Sequence, residues 1–109
     1  MDPNLLKGHL DLILLAALEH GPKYGGQISS DVAQHTQGDF QLKEGSLYPA
    51  LHRLEKAGWI EGEFQTLPRG GSPVRFYRLT DSGQTTLRDK REAYRRFTRT
   101  VAPLIEGGS

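Results

Sequence analysis

The stretch "LLKGHLDLILLAALE", residues 5–19, constrains the fold more than any other part of the chain. Leu6, Leu10, Ile13, Leu14, Ala17 and Leu18 follow the i, i+3, i+4, i+7 rule of an amphipathic helix. Leu5, Leu12 and Leu15 fall off that stripe, so the helix is apolar on more than one side. A surface helix needs one buried face; this one needs two. Gly21-Pro22 then stops it.

The rest of the chain divides by its glycines and prolines. Residues 24–36 predict a second, weaker helix, with Tyr24, Ile28 and Val32 four apart. The pair Gly25-Gly26 costs about 1 kcal/mol per residue relative to alanine and loosens its first turn. Gly38-Asp39 closes it, and the alternation Phe40-Gln41-Leu42 predicts a short strand. A third helix starts from Ser46 as N-cap, with Pro49 at its third position, and ends at Gly58 as C-cap. Leu47, Ala50, Leu51, Leu54, Ala57 and Gly58 share an arc of about 120°. Tyr48, Pro49, His52, Arg53, Glu55 and Lys56 occupy the rest. What that outer face is for is the question the sequence poses.

Two runs rich in aromatic and branched residues, "WIEGEFQTL" and "PVRFYRL", flank "PRGGSP" at 68–73 and predict a hairpin with a flexible basic tip. Thr80-Asp81-Ser82 caps a last helix running to about residue 102, before Pro103. Its apolar positions Leu87, Tyr94, Phe97, Val101 and Leu104 are spaced like heptads, a seam for another helix that Lys90 and Arg91 interrupt. The expected fold is mainly α with a small β-hairpin: a winged helix-turn-helix over residues 1–80, then a long C-terminal dimerisation helix over 81–105.

Composition narrows the function. With 109 residues there is one modest core, and 36% apolar against 25% charged residues excludes compositional disorder. The absence of cysteine excludes disulfides, thiolate metal sites and thiol redox chemistry. The longest apolar run, Leu10 to Leu18, is broken by Asp11 and too short to span a bilayer; no secretory signal pattern opens the chain, so a cytoplasmic protein without membrane partners is expected. The net charge of +1 hides an asymmetry: residues 1–67 hold five Lys/Arg against nine Asp/Glu, and residues 68–109 hold nine against four. That points to an anionic partner or to a solvated helix face. No HExxH, Walker loop or GxSxG occurs, and His9, His20, His35 and His52 are scattered, so neither an enzyme, a metal site nor a cofactor is expected.

The third helix and the hairpin suit a nucleic acid. A helix start of glycine and serine lets backbone N–H groups approach phosphates. Tyr48 can meet a phosphate or a thymine methyl, or fold back on the domain; His52 and Arg53 can donate to bases or phosphates. The tip, with Arg69 and Arg75 around Gly70-Gly71, fits a minor groove or is an ordinary turn.

Three segments, "ILLAALEHGPKYGGQI", "GSLYPALHRLEKAGWIE" and "FYRLTDSG", resemble the PadR family of bacterial transcriptional regulators in order and spacing, over about residues 10–90. The resemblance implies a homodimeric repressor of the short form, bound to an inverted repeat in double-stranded DNA and released by a small-molecule effector, for which a small aromatic compound is the candidate. It implies that Ser46, Tyr48, Pro49, His52 and Arg53 enter the major groove, with Lys43 near the backbone and Arg69, Gly70, Gly71 and Arg75 as the wing. The last helix would dimerise against the partner's first helix, through Leu6, Leu10, Ile13, Leu87, Tyr94, Phe97, Val101 and Leu104. The candidate ligand residues are Trp59, Tyr94 and Phe97, with Trp59 also a core candidate. Two positions depart from the family pattern: Gly26 replaces a bulky residue, and the wing reads Gly-Gly-Ser-Pro-Val-Arg where many relatives are more basic. The competing readings are a winged-helix protein-interaction module and an aromatic-ligand-binding dimer without DNA.

Overall fold

A computed structural model describes residues 3–107, with side chains described from residue 8 onward. The elements are α1 (Pro3–Ala17), β1 (Lys23–Tyr24), α2 (Gly25–His35), α3 (Glu44–Lys56), β2 (Ile60–Gln65), β3 (Val74–Leu79) and α4 (Asp81–Ile105). The strands form one antiparallel sheet in the order β1-β3-β2. Four helices and this small sheet make the expected winged helix-turn-helix with a long last helix.

α1 sits at the centre. Leu10, Leu14, Leu15 and Leu18 are buried, with Leu15 off the main stripe as its spacing demands. Leu12, Ile13, Ala16 and Ala17 are only half-covered. One apolar side is thus sealed within the chain and the other is left partly open. Ile28 and Val32 of α2, Leu47, Leu51 and Leu54 of α3, Ile60 of β2 and Leu87 of α4 complete the core.

Local boundaries differ from expectation where tertiary partners decide them. Tyr24 is not helical: Lys23 and Tyr24 pair with Tyr77 and Phe76 of β3, and the Tyr24 ring meets Phe76 edge to face at 5.4 Å. It then serves as the α2 N-cap, its N–H donating to Gln27 Oε1 at 3.1 Å. Gly26 is exposed, so α2 packs through Ile28 and Val32 without a bulky side chain there. The strand expected at Phe40–Leu42 does not form. Phe40 N–H donates to Thr36 Oγ1 at 3.1 Å, and the Leu42 carbonyl accepts from Ser29 Oγ at 3.3 Å, so α2 takes the backbone groups a strand partner would need.

α4 begins as expected at Thr80, whose Oγ1 accepts from Gly83 N–H at 3.0 Å. It does not stop before Pro103. The helix runs on to Ile105, because a proline this near the end leaves only the Arg99 carbonyl without its helical partner. The first half of α4 packs on the core through Leu87, and the second half projects, leaving Tyr94, Phe97, Leu104 and Ile105 exposed. The radius of gyration is consequently 15.6 Å, against about 13 Å for a compact chain of this length.

Candidate nucleic-acid interface

α3 starts three residues earlier than its serine suggests. Lys43 is the N-cap residue, and its carbonyl accepts from the N–H groups of both Ser46 and Leu47 at 2.9 Å. No side chain caps the helix; the Glu44 carboxylate in the first turn complements the positive end of the helix dipole instead. Ser46 is therefore an exposed first-turn residue, not the cap. Pro49 falls at the sixth helical position and leaves the Gly45 carbonyl without a helical donor. The other end is a Schellman close: Trp59 N–H donates to the Leu54 carbonyl, Gly58 N–H to that of Glu55, and Gly58 takes φ +82°.

The inner side of α3 is sealed, with Leu47, Ala50, Leu51 and Leu54 at 2% exposure or less. Tyr48, Pro49, His52 and Lys56 face outward. Tyr48, His52, Glu55 and Lys56 of α3 and Arg75 and Tyr77 of β3 line one cleft between helix and wing. Lys43, Lys56 and Arg69 make no ion pair among the described residues, and neither does Glu44, one turn before Tyr48 on the same side of α3. Arg69, Gly70 and Gly71 lie at the exposed wing tip, where both glycines have positive φ.

Two expected contact residues have other allegiances. Arg53 does not project with His52: its guanidinium is paired with Asp11 of α1. Arg75 is not at the tip but in β3, paired with Glu55 of α3. Its guanidinium lies 5.4 Å from the Phe64 ring centroid and 5.8 Å from that of Tyr77. It crosses β2 over Gly62, where a Cβ would stand 2.8 Å from Cζ. Arg75 therefore fixes the wing to α3. Burial pushes the Tyr77 phenol up from its ordinary value, partly offset by Arg75 beside it.

Several site residues escaped sequence reading. Gly25 lies under Tyr48; a Cβ there would stand 2.8 Å from the phenol Cζ and collide with its hydroxyl. Only that glycine lets the Tyr48 ring lie across the start of α2. Phe64 of β2 is 63% exposed beside Arg75. Its aromatic side chain among the exposed residues of β2 was the available signal.

A second cleft, of about 350 Å³, opens between α1 and α4. His9, Asp11, Leu12, Arg53, Lys90, Tyr94 and Phe97 line it, and the His9 and Tyr94 rings meet edge to face at 6.1 Å. Tyr94 and Phe97 are brought together there. Trp59 is not in it; its half-buried ring packs on the core beneath the Lys90 ammonium at 5.4 Å. Of the expected dimer seam, Leu10 and Leu87 are buried within the chain at 7% and 3% exposure, while Ile13 and Val101 are half-buried. Tyr94, Phe97 and Leu104 are open, and the Leu6 side chain lies outside the described residues. Among the described residues, no group of three or more His, Cys, Asp or Glu side chains could hold a metal ion, and no helix is long and apolar enough to cross a membrane.

Comparison with known proteins agrees with this architecture. The chain is 31% identical over 104 residues to an uncharacterised protein of Lysinibacillus sphaericus, covering 95% of this chain and 94% of that one. It is 31% identical over 78 residues to transcriptional regulator Rv3488 of Mycobacterium tuberculosis, covering 72% and 68%. A crystal structure of a PadR-like transcriptional regulator from Bacillus cereus superposes with a TM-score of 0.81 at 28% identity, covering 94% and 96%. The sequence model of the transcriptional regulator PadR-like family matches residues 14–89, through α2, α3, the wing and the start of α4. With the winged helix, the open α3 face and the projecting α4 on the same scaffold, the chain belongs to the PadR-like family of transcriptional regulators.

Proposed function

We infer that the protein is a sequence-specific DNA-binding repressor that acts as a homodimer on an inverted repeat in the cytoplasm. The observation that carries this reading is the cleft between α3 and the wing. There Tyr48, His52 and Lys56 project beside Arg75 and Tyr77 of β3 from a helix whose other side is buried, and Arg69 is exposed at the wing tip. An exposed helix with small, aromatic and basic residues fits a major groove, and the arginine tip fits the flanking minor groove. Ser46 and Pro49 lie on the approach to the bases, and Lys43 near the phosphates. Tyr94, Phe97, Val101 and Leu104 recur on one side of the projecting half of α4 and support a second copy as its cover.

The α1–α4 cleft is the candidate effector site. It combines the rings of His9, Tyr94 and Phe97 with the Lys90 ammonium, Arg53 being paired with Asp11 on the same wall, a lining suited to a small aromatic molecule. Trp59 stands behind Lys90 and contributes through it rather than by contact. An effector that binds one arrangement of the dimer more tightly shifts DNA affinity by the same coupling factor that DNA imposes on it.

The test is a fluorescence-anisotropy titration of the DNA immediately upstream of the protein's own gene against a scrambled duplex, at two salt concentrations. Tight, salt-dependent binding confined to the upstream duplex is the expected result. Equal weak binding to both duplexes would favour a protein-interaction role for α3 and the wing.

A further inference from the structure

Six large apolar side chains are strongly exposed among the described residues, and they fall into two groups. Tyr94, Phe97, Leu104 and Ile105 lie together on the projecting end of α4. The remaining two, Tyr48 and Phe64, flank the cleft between α3 and the wing. Tyr48 comes from the helix side at 44% exposure and Phe64 from the wing side at 63%.

The register fixes which way Phe64 looks. It stands opposite Arg75, and Gly62 stands opposite Tyr77, so these four positions share one side of the hairpin. That side faces α3, because Arg75 is held by Glu55 and Tyr77 borders the cleft with Tyr48 and His52. Phe64 is the next rung out toward the tip. The Arg75 guanidinium covers part of its ring and fixes its position. A glycine in mid-strand is unfavourable, yet Gly62 is what allows the guanidinium to lie flat.

The charges around it point the same way. Of the three arginines on the wing, Arg75 is neutralised by Glu55 and Arg78 by Glu61, which leaves Arg69 at the tip. A wing with one uncompensated cation has little to hold phosphates with. Lys56 in the cleft and Lys43 at the start of α3, two cations against Glu44, still favour an anionic partner over an apolar protein surface.

We propose that Phe64 is a DNA-contact residue of the wing, packing its ring against the deoxyribose edges of the groove beside the α3 site. The wing is then held by apolar contact where a more basic hairpin would use phosphates. This rests on the DNA-binding reading above.

The two kinds of contact separate in a salt titration. Neutralising phosphates releases counterions and gives a slope of log affinity on log salt, whereas apolar packing releases none. Anisotropy titrations of the upstream duplex at four salt concentrations would compare the wild type with Phe64→Ala, Phe64→Leu and Arg69→Ala. Phe64→Ala is expected to weaken binding about tenfold at every salt concentration, with the slope unchanged. Phe64→Leu should recover much of the loss, and Arg69→Ala should make the slope shallower by about 1. Wild-type affinity in Phe64→Ala would overturn the proposal. So would a loss accompanied by a shallower slope, since the ring would then act only by placing a cation. If the wild type itself fails to distinguish the upstream from the scrambled duplex, the DNA-binding reading falls and this proposal with it.

Discussion

Arg53 of α3 and Asp11 of α1 form an ion pair at the edge of the α1–α4 cleft, so one side chain belongs both to the outer helix and to the wall of the candidate effector site. The Arg53 side chain remains 56% exposed, and the pair contributes little to stability. Its interest lies in what Asp11 withholds. Asp11→Asn leaves Arg53 free to reach a phosphate. The expected outcome in an anisotropy titration is severalfold tighter DNA binding, with the salt slope steeper by about 1. Unchanged affinity and slope would mean that Arg53 stays on the α1 side in the complex.

Gly83 is in the first turn of α4, pressed against the β2 strand entry. A Cβ there would overlap the Trp59 carbonyl oxygen and stand 2.8 Å from the carbonyl carbon. The obstacle is backbone, itself fixed because the same Trp59 carbonyl accepts from Thr80 N–H at 3.1 Å. Gly83→Ala is expected to destabilise the protein by about 2–3 kcal/mol, read by chemical denaturation. A cost below 0.5 kcal/mol, roughly the effect of an ordinary surface substitution, would contradict this packing.

Phe97 is 59% exposed midway along the projecting half of α4. If a second copy covers it, Phe97→Asp buries an unpaired carboxylate and weakens the dimer by about 3 kcal/mol or more. Sedimentation equilibrium should show a dimer for the wild type and mainly monomer for the variant at micromolar concentration. A variant that remains dimeric would move the interface elsewhere on the chain.

Arg91 holds Glu19 through two bonds, at 2.9 and 2.7 Å, joining the end of α1 to α4. This hydrogen bonding sets the Glu19 carboxyl below its ordinary value and raises the Arg91 guanidinium. A depressed carboxylate stabilises the fold fully above its unfolded value, about 4.3, and the gain is lost as pH falls through the lower folded value. Both groups are near the surface, so the whole effect is expected to stay below about 1 kcal/mol. Arg91→Ala should therefore cost stability at neutral pH and approach the wild type as the pH drops below about 4. Denaturation curves for both proteins at neutral and acid pH would check this.

The sequence carried most of the architecture because most of it is local. Leucine spacing marked α1 and the buried side of α3, Gly58 marked the α3 end, and Thr80 marked the α4 start. What it missed was decided by distant partners. Lys23-Tyr24 is a strand only because β3 offers an edge, and Phe40–Leu42 is not one because α2 claims its backbone groups. At the candidate site, Tyr48, His52, Lys56 and Arg69 were legible as outward polar or aromatic positions. The destinations of Arg53 and Arg75 were not. A long cationic side chain reaches several carboxylates, and only the packed fold brings Asp11 and Glu55 within range.

Gly25 shows how far the aim of Tyr48 depends on a residue that would touch no DNA. The phenol rests in the space where a side chain on α2 would otherwise be. Alanine scanning of α3 alone would credit Tyr48 with its whole effect. A methyl group at position 25 would re-aim the same tyrosine without altering it, so two relatives with identical third helices can prefer different operators. Their divergence would be written in the helix behind.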